Sequence, residues 1–241
     1  MEAGHPADGS SVERQHISLE TLKNTEQILP APDALPPSSL PEHQFPIHGD
    51  SVLLVIPTEN KRKVQILSDG ITKQAPPGIE VHIVTIPVES SVGEQPYNGA
   101  GMEGARNQIN NALNRLHGIE FSDVFKKNNI RTVLVASYRE LHPNQRPRQA
   151  SRFGIVAIHN ANTGETCVGC SRGVTIAQGF VDAALTFGTD GGNRDYGKKT
   201  VGSILASKVL GLDGANWHEV VAGVSRYDLL REVVGNLRAP W

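Results

Sequence analysis

A continuous apolar run, SVLLVIP at residues 51–57, is the feature that most constrains how this chain can fold. Its length suits one β-strand, and a strand that is apolar on both faces has to be covered on both sides. The next segment, TENKRKVQILSDGI, has the pattern of a helix that begins near Thr58 or Asn60 and ends at Gly70. A buried strand followed by a helix predicts a parallel βα unit, and hence an α/β protein.

Later segments extend this α/β pattern. We expect strands at 80–88 and 131–138, and a hairpin of 153–160 with 165–176 around the turn NANTG. Helices are expected at 101–118, 122–129, 177–187, 198–209, 216–221 and 227–236. In the first of these helices five apolar residues share one face: Ala105, Ile109, Ala112, Leu113 and Leu116. The predicted fold is a mixed twisted sheet flanked by helices.

Two cysteines, Cys167 and Cys170, are the only ones in the chain and lie in TCVGC. Residues three apart on a strand point to opposite faces, so this pair does not suit a disulfide. Zinc requires about four ligands, and there is no second CxxC. The sequence therefore predicts two ordinary reduced cysteines.

Residues 1–48 differ in composition from residues 49–241, which we interpret as one domain. Of the 15 prolines, these fall in the first segment: Pro6, Pro30, Pro32, Pro36, Pro37, Pro41 and Pro46. Such a segment is expected to be extended, either as a simple tail or tether or as a proline-rich partner site. Residues 18–29 have the pattern of a short helix that docks on the domain.

The net charge of −2 gives no basic field to attract nucleic acid. No apolar run approaches the ~20 residues of a membrane span, and the first residues lack the apolar stretch of a secretory signal. We therefore expect a cytoplasmic protein with neither nucleic acid nor membrane as a partner.

Two strand ends carry residues suited to phosphate chemistry. Thr58, Asn60 and Lys63 lie where the first strand passes into a helix, a place where free backbone N–H groups favour anions; a solvated helix cap is the alternative. Glu89 follows the second strand at the same edge of the sheet. A carboxylate beside a phosphate site is a plausible Mg²⁺ ligand, although a lone glutamate there is more often solvated.

Two further stretches are basic. GGNRDYGKKT has the glycine spacing of a phosphate-binding P-loop but carries Lys199 where Ser or Thr is required, and a helix precedes it, so we reject the P-loop. Lys198 and Lys199 remain candidates for phosphate contacts from another side. Residues 139–152 include four arginines and are predicted to form a loop, either a mobile charged one or a triphosphate clamp.

Four motifs together resemble a known family, the YjjX-type inosine/xanthosine triphosphatases. The family's V-E-S-x-V-x-E-Q-P followed by G-A-R-N is similar to residues 88–96 and 104–107, and T-x-N-x-x-K is similar to residues 58–63. A glycine- and lysine-rich stretch at 197–202 and the pair Ser225–Arg226 also match. The resemblance covers about residues 52–237.

The resemblance implies an ITPase-like fold with a central cleft, often dimeric, and Mg²⁺-dependent (or Mn²⁺-dependent) hydrolysis of ITP or XTP. Glu89 would be the metal ligand, and Glu89, Lys63 and Glu140 the catalytic set. The substrate-binding residues would be Thr58, Asn60, Lys63, Glu94, Gln95, Asn107, Lys198, Lys199 and Arg226. A homodimer and a purine nucleoside triphosphate are the expected partners.

One position departs from the family pattern. Arg139 falls where the family has a glutamate after the third strand, and Glu140 replaces it only if that strand bulges. In addition, residues 216–230 resemble a domain of the eukaryotic proline-rich coiled-coil proteins, which are related to these phosphatases but not known as enzymes. The alternative function is therefore a catalytically weak or silent domain that binds nucleotides or proteins.

Overall fold

The structure, a computed structural model, describes residues 28–29, 50–117, 130–146 and 148–241. The strands are β1 (Ile28–Leu29), β2 (Ser51–Ile56), β3 (Glu80–Thr85), β4 (Gln95–Pro96), β5 (Arg131–Arg146), β6 (Gln149–Asn160), β7 (Thr166–Cys170), β8 (Gly173–Ala177) and β9 (Tyr196–Gly197). The helices are α1 (Lys61–Thr72), α2 (Ala100–Leu116), α3 (Gln178–Leu185), α4 (Val201–Lys208), α5 (Trp217–Ala222) and α6 (Arg226–Asn236).

Seven of the strands form one mixed sheet in the order β1-β8-β6-β5-β2-β3, with β7 also paired to β6. Strand β2 runs parallel to both β3 and β5, as the βα pattern of the first half predicts. Strands β5, β6, β7 and β8 are joined by antiparallel pairings, which include the expected hairpin. The predicted α/β fold with a mixed sheet flanked by helices is confirmed.

Both faces of β2 are buried, which explains its uninterrupted apolar sequence. Leu53 and Val55 pack against the apolar face of α2, where Ala105, Ile109 and Leu113 are fully buried. The residues that alternate with them, Val52, Leu54 and Ile56, pack against α1 and α6 on the opposite face. The sheet is therefore a central layer between helices.

A second lobe forms beyond the central layer. Its core lies between β8, the outer parts of β5 and β6, and the helices α3, α4 and α5, and includes Leu141, Ala150, Ile176, Leu205 and Trp217. The long strands β5 and β6 take part in both lobes. The cleft described below lies along these two strands.

Three expectations about local structure are wrong. The loop predicted at 139–152 is wrong, because residues 139–146 and 149–152 form the outer parts of β5 and β6, where Leu141 and Ala150 are buried in the second lobe. Ile28–Leu29, placed at the end of a helix, instead form a strand antiparallel to β8. Helix α1 continues past Gly70 to Thr72. The expected helix at 122–129 lies outside the described residues, as does the rest of the segment at 18–29.

Within the described residues, no helix is both long enough and apolar enough to cross a bilayer. The two cysteines are free, as predicted. Burial raises the pKa of Cys170 to about 11, so its thiol is un-ionised at neutral pH.

Candidate anion-binding cleft

A cleft of two chambers lies between the central layer and the second lobe. The inner chamber has a volume of about 120 Å³ and is bordered by α1, β5, β6 and α6. The outer chamber has a volume of about 420 Å³ and is bordered by β5, α4, α5 and α6. The two chambers share Arg139, Arg152, His218 and Arg226 in their lining, so they adjoin each other at these four residues.

Strand alternation explains why two arginines face this cleft. Arg139 lies on β5 opposite Gly154 of β6, and two positions along the ladder Leu141 lies opposite Arg152. Residues directly opposite each other in a sheet point to the same face, and so do residues two apart on one strand. Arg139 and Arg152 therefore extend from one face as diagonal neighbours, and Gly154 leaves room beside them.

Two helix starts add further positive charge. Lys63 is in the first turn of α1, which Asn60 caps by accepting a hydrogen bond from the Lys63 N–H at 3.0 Å. The Lys63 ammonium extends into the inner chamber and donates to the Ser137 carbonyl at 3.2 Å. Arg226 is the first residue of α6, directly after its N-cap, Ser225. A cation in a first turn opposes the helix dipole, and the first turn of α1 has no acidic residue to offset Lys63, whereas that of α6 also contains Asp228.

The four cations of the cleft have almost no negative charge to balance them. Arg139 Nη2 lies 3.9 Å from the Glu94 carboxylate, an exposed group at the rim of the outer chamber. Within the part of the chain that the structure describes, Lys63, Arg152 and Arg226 form no ion pair with a carboxylate. Uncompensated buried charge is costly, and guanidinium groups stay protonated in proteins, so this arrangement favours an anionic ligand.

Burial and the mutual repulsion of these groups lower the pKa values of two of them, Lys63 and Arg152. Burial, together with the charges of Arg139, Arg226 and Arg152, lowers the pKa of Lys63 to about 7. Burial and the charges of Arg139 and Arg226 lower the pKa of Arg152 well below its usual value. A bound anion would reverse both effects, because an opposite charge nearby favours the protonated form.

His218 adds a neutral hydrogen-bond donor to the cleft. Its side chain is 1% exposed, stacks on Trp217 at 4.0 Å between ring centroids, and has Nδ1 3.3 Å from Arg152 Nη1. Burial, followed by the charges of Arg152, Arg226 and Arg139, lowers its pKa well below 6.5, so the imidazole is neutral. Because arginine only donates, Nδ1 accepts and the ring proton is on Nε2. Nε2 has no partner among the described residues.

Tyr227 holds Arg226 in position. The Arg226 Nη2 donates to the Tyr227 hydroxyl at 2.6 Å, and the Arg226 guanidinium also lies 4.6 Å from the centre of the same ring. The Arg62 guanidinium lies 4.0 Å from that ring centre. The phenol therefore fixes the direction of Arg226 and reduces the freedom that a long side chain would lose on binding a ligand.

Four of the site residues predicted from sequence line the cleft: Lys63, Arg226, Glu94 and Gln95. Gln95 is 2% exposed, and its Oε1 accepts from the backbone N–H of Val201 at 3.3 Å, at the start of α4. Gln95 therefore joins the outer chamber to the second lobe, and its side-chain oxygen is already engaged there.

Three others line a separate, open cavity of about 810 Å³ on the other side of the α1 N-terminus: Thr58, Asn60 and Glu89. Glu89 is exposed, and only its backbone is held, by Asn111 Nδ2 at 2.9 Å from the Glu89 carbonyl oxygen. Glu59 lines the same cavity and is also exposed. Within the described residues, no group of three or more His, Cys, Asp or Glu side chains is placed to hold a metal ion.

Glu140 is turned away from the cleft and has a structural role. Its Oε2 accepts from the backbone N–H groups of Gly101 and Met102 at 3.0 and 3.2 Å, in the first turn of α2, and its Oε1 contacts His142. The pairing of β5 with β6 is regular from Val133 to His142, so the bulge that would turn Glu140 toward Glu89 does not occur. Arg139, and not a carboxylate, occupies this side of the cleft.

The remaining predicted residues lie outside both chambers. Asn107 Nδ2 donates to the Ser90 carbonyl at 2.8 Å and so anchors the loop after β3 to α2. Lys198 and Lys199 are exposed, and the Lys199 ammonium lies 5.7 Å from the ring centre of Phe187.

Sequence reasoning placed Arg139 and Arg152 among the four arginines of a predicted loop, either a mobile charged one or a triphosphate clamp, and it did not identify His218 as a site residue. A further signal for Arg152 was its position as the one Lys or Arg residue of the strand QASRFGIVAIHN, directly before the apolar run FGIVAI, where burial of charge is unexpected. For His218 no local signal was present, because only the packing of α5 shows that it lines the cleft.

Comparisons with known proteins give a fold but no family. No family model and no curated protein matches this sequence. Among solved structures, the crystal structure of protein VC0702 from Vibrio cholerae is similar, with a TM-score of 0.53 and 14% sequence identity over 76% of this chain and 91% of that chain. At this identity the similarity supports the α/β fold alone.

Proposed function

We propose that this domain binds the phosphates of a purine nucleoside triphosphate in the two-chamber cleft. The observation that carries the proposal is the convergence of Lys63, Arg139, Arg152 and Arg226 on two adjoining chambers, which have a single carboxylate of the described residues at their rim. Arginine and lysine are the usual partners of phosphate oxygens, and a triphosphate carries enough charge to balance several of them.

The size and lining of the cleft also support a nucleotide. The inner chamber combines its cations with apolar side chains such as Leu229 and Leu230, whereas the outer chamber is larger and bordered by small residues such as Gly202 and Ala206. Ligand sites commonly have volumes of ~300–1,000 Å³, which the two chambers together reach. The choice of ITP and XTP as the preferred nucleotides rests on the motif resemblance described in the sequence analysis.

A second candidate is Mg²⁺-dependent hydrolysis of ITP or XTP, for which the open cavity beside the α1 N-terminus is the supporting observation. Glu89, with Glu59, would hold Mg²⁺ or Mn²⁺ there, since Mg²⁺ typically takes one or two carboxylates and completes its shell with water and phosphate. The ion would neutralise charge that develops on the phosphates. The side chains that line the cleft itself do not fit a divalent cation, and Glu140 is engaged by α2. A homodimer also stays a prediction.

Binding and phosphate release should be measured on the same preparation. Isothermal titration calorimetry with ITP tests the first proposal, and an Arg152→Met variant is expected to bind far more weakly. The matched control is Arg172→Met, because Arg172 is half-exposed, pairs with Glu232 at 3.0 Å and lines neither chamber. Equal affinity of wild type and Arg152→Met for ITP would refute the cleft as the binding site.

Phosphate release from ITP, XTP, GTP and ATP, with Mg²⁺ present, tests the second candidate. Hydrolysis by wild type that the Glu89→Ala variant loses supports it. Tight binding of ITP with no release above that of Glu89→Ala would leave the domain as a nucleotide-binding module without turnover.

A further inference from the structure

We propose that the cleft binds its triphosphate as the metal-free anion, with the protein's own side chains taking the place of a divalent cation. This inference rests on the proposed binding of phosphates in the cleft and specifies the form of the ligand. It differs from the Mg²⁺ dependence that the sequence resemblance implies, and it rests on three features of the donor set.

The first feature is the balance of charge. Three guanidinium groups, the Lys63 amine and one neutral imidazole face the cleft; among the described residues the only carboxylate at its border is that of Glu94, which is exposed and 3.9 Å from Arg139. A triphosphate bound as its magnesium complex carries two fewer negative charges. The complex would therefore leave more of the buried positive charge unbalanced than the free anion does.

The second feature is the orientation of the acids. Glu140 is the carboxylate nearest in sequence to Arg139, but strand alternation directs it to the opposite face of β5, where it caps α2. Glu59 and Glu89 lie in the open cavity across the first turn of α1 and line neither chamber. A metal ion bound to phosphates inside the cleft would thus meet guanidinium groups in place of oxygen ligands.

The third feature is the set of donors that have no acceptor. Nε of Arg139, Nε of Arg226 and Nε2 of His218 are buried and have no hydrogen-bond partner among the described residues. Buried donors without partners cost free energy, and a metal ion cannot satisfy them, whereas phosphate oxygens can. All three belong to side chains that line both chambers.

The test is calorimetric titration of the full chain with ITP and, separately, with inorganic tripolyphosphate, each in EDTA and in excess Mg²⁺. We expect ITP to bind in EDTA and to bind several-fold more weakly in excess Mg²⁺. Tripolyphosphate should follow the same order, because the effect arises at the phosphates. In EDTA, Arg152→Met should lose ~10-fold or more in affinity, while Arg172→Met binds as wild type does.

The outcomes separate this inference from the proposed function. Binding of ITP that requires Mg²⁺ would overturn the metal-free inference and leave phosphate binding in the cleft standing. Absence of binding under both conditions, with the protein folded by circular dichroism, would overturn both. Binding in EDTA that Arg152→Met does not weaken would also overturn both, because the anion would then lie elsewhere.

Discussion

Arg152 Nη1 lies 3.3 Å from Nδ1 of His218, so a half-buried cation from β6 donates to a buried neutral imidazole from α5. The contact joins the central layer to the second lobe and fixes the imidazole proton on Nε2, on a side chain that lines the cleft. A donor in this position can bind only an acceptor atom, such as a phosphate or carbonyl oxygen.

His218 therefore provides the first prediction. His218→Phe keeps an aromatic ring beside Trp217 but removes both ring nitrogens, and we expect a ~10-fold or greater loss of ITP affinity. His218→Gln, which retains a side-chain donor, should recover part of that affinity. The measurement is calorimetry in EDTA, with thermal unfolding as a check of folding. Equal affinities for the phenylalanine variant and wild type would show that the Nε2 donor does not contact the ligand.

Replacing a cation of the cleft should make the free protein more stable. Arg152→Met removes a half-buried charge that no carboxylate of the described residues balances, and it retains much of the side chain's volume, so the free energy of unfolding without ligand should rise. For a chain of this size, ~1 kcal/mol corresponds to ~2–4 °C in the midpoint of thermal unfolding. Arg172→Met is the control and should leave the midpoint unchanged or slightly lower. A lower midpoint for Arg152→Met than for wild type would contradict the view that this charge is uncompensated.

The lowered pKa of Lys63 predicts how the free energy of unfolding depends on pH. Its pKa is about 7 in the folded chain, against an ordinary value of 10.5, so between these pH values the unfolded state binds one more proton than the folded state. The contribution of Lys63 therefore makes the free energy of unfolding increase as pH rises from 7 towards 10.5. Below pH 7 both states hold the proton, and this contribution no longer changes with pH. Lys63→Met should be more stable than wild type near pH 6–7, and the difference should shrink at higher pH. Urea unfolding of both proteins at pH 6, 7, 8 and 9 measures this; a constant difference would contradict it.

The same lysine should couple binding to protonation. An anion in the inner chamber favours the charged ammonium, so ITP binding near pH 7 should take up about half a proton through Lys63. Calorimetry in buffers of different ionisation enthalpy measures this uptake. Lys63→Met is the control that removes it while leaving the protonation of ITP itself. Identical uptake in the two proteins would place the anion away from Lys63.

Glu140 and Glu89 should behave in opposite ways when replaced. Glu140→Ala leaves the backbone donors of Gly101 and Met102 without their acceptor, and we expect a loss of ~1–3 kcal/mol in the free energy of unfolding. Glu89→Ala, at an exposed side chain, should change stability by less than ~0.5 kcal/mol. Urea unfolding of the two variants makes the comparison. A large loss for Glu89→Ala with none for Glu140→Ala would show that the roles of the two carboxylates are reversed.

A side chain at position 101 is expected to clash with the backbone of β5 at Arg139. A Cβ atom at this position would overlap the Arg139 carbonyl oxygen and lie 2.7 Å from the Glu140 Cβ, so Gly101→Ala should displace β5 and cost ~1–3 kcal/mol. Gly179 of α3 has nothing within 4 Å of such an atom, and Gly179→Ala should instead be neutral or stabilise by ~0.5–1 kcal/mol. Thermal unfolding of both variants tests this. Equal midpoints for the two would mean that α2 and β5 have room to separate.

The sequence by itself determined the elements whose pattern is local and strong. The apolar run of β2 predicted a buried strand, and the spacing of Ala105, Ile109 and Leu113 predicted the buried face of α2. Both predictions use the spacing of apolar residues along the chain, which can be recognised without knowing what packs against them. It also placed Lys63 and Arg226 in the site. Prolines and arginines at 139–152 indicated a loop, since propensity carries no information about a partner strand that buries Leu141 and Ala150.

Only the tertiary structure decided the chemistry of the cleft. Whether position 139 or 140 faces it depends on strand register, because a shift of one residue exchanges the two faces, and register is set by pairing with β6. The regular register brings Arg139 to Arg152 and sends Glu140 to α2. His218 joins them from a helix 66 positions along the chain from Arg152. A site of this kind is formed by segments that are distant in the sequence, so it depends on tertiary packing and cannot be predicted from a local sequence pattern.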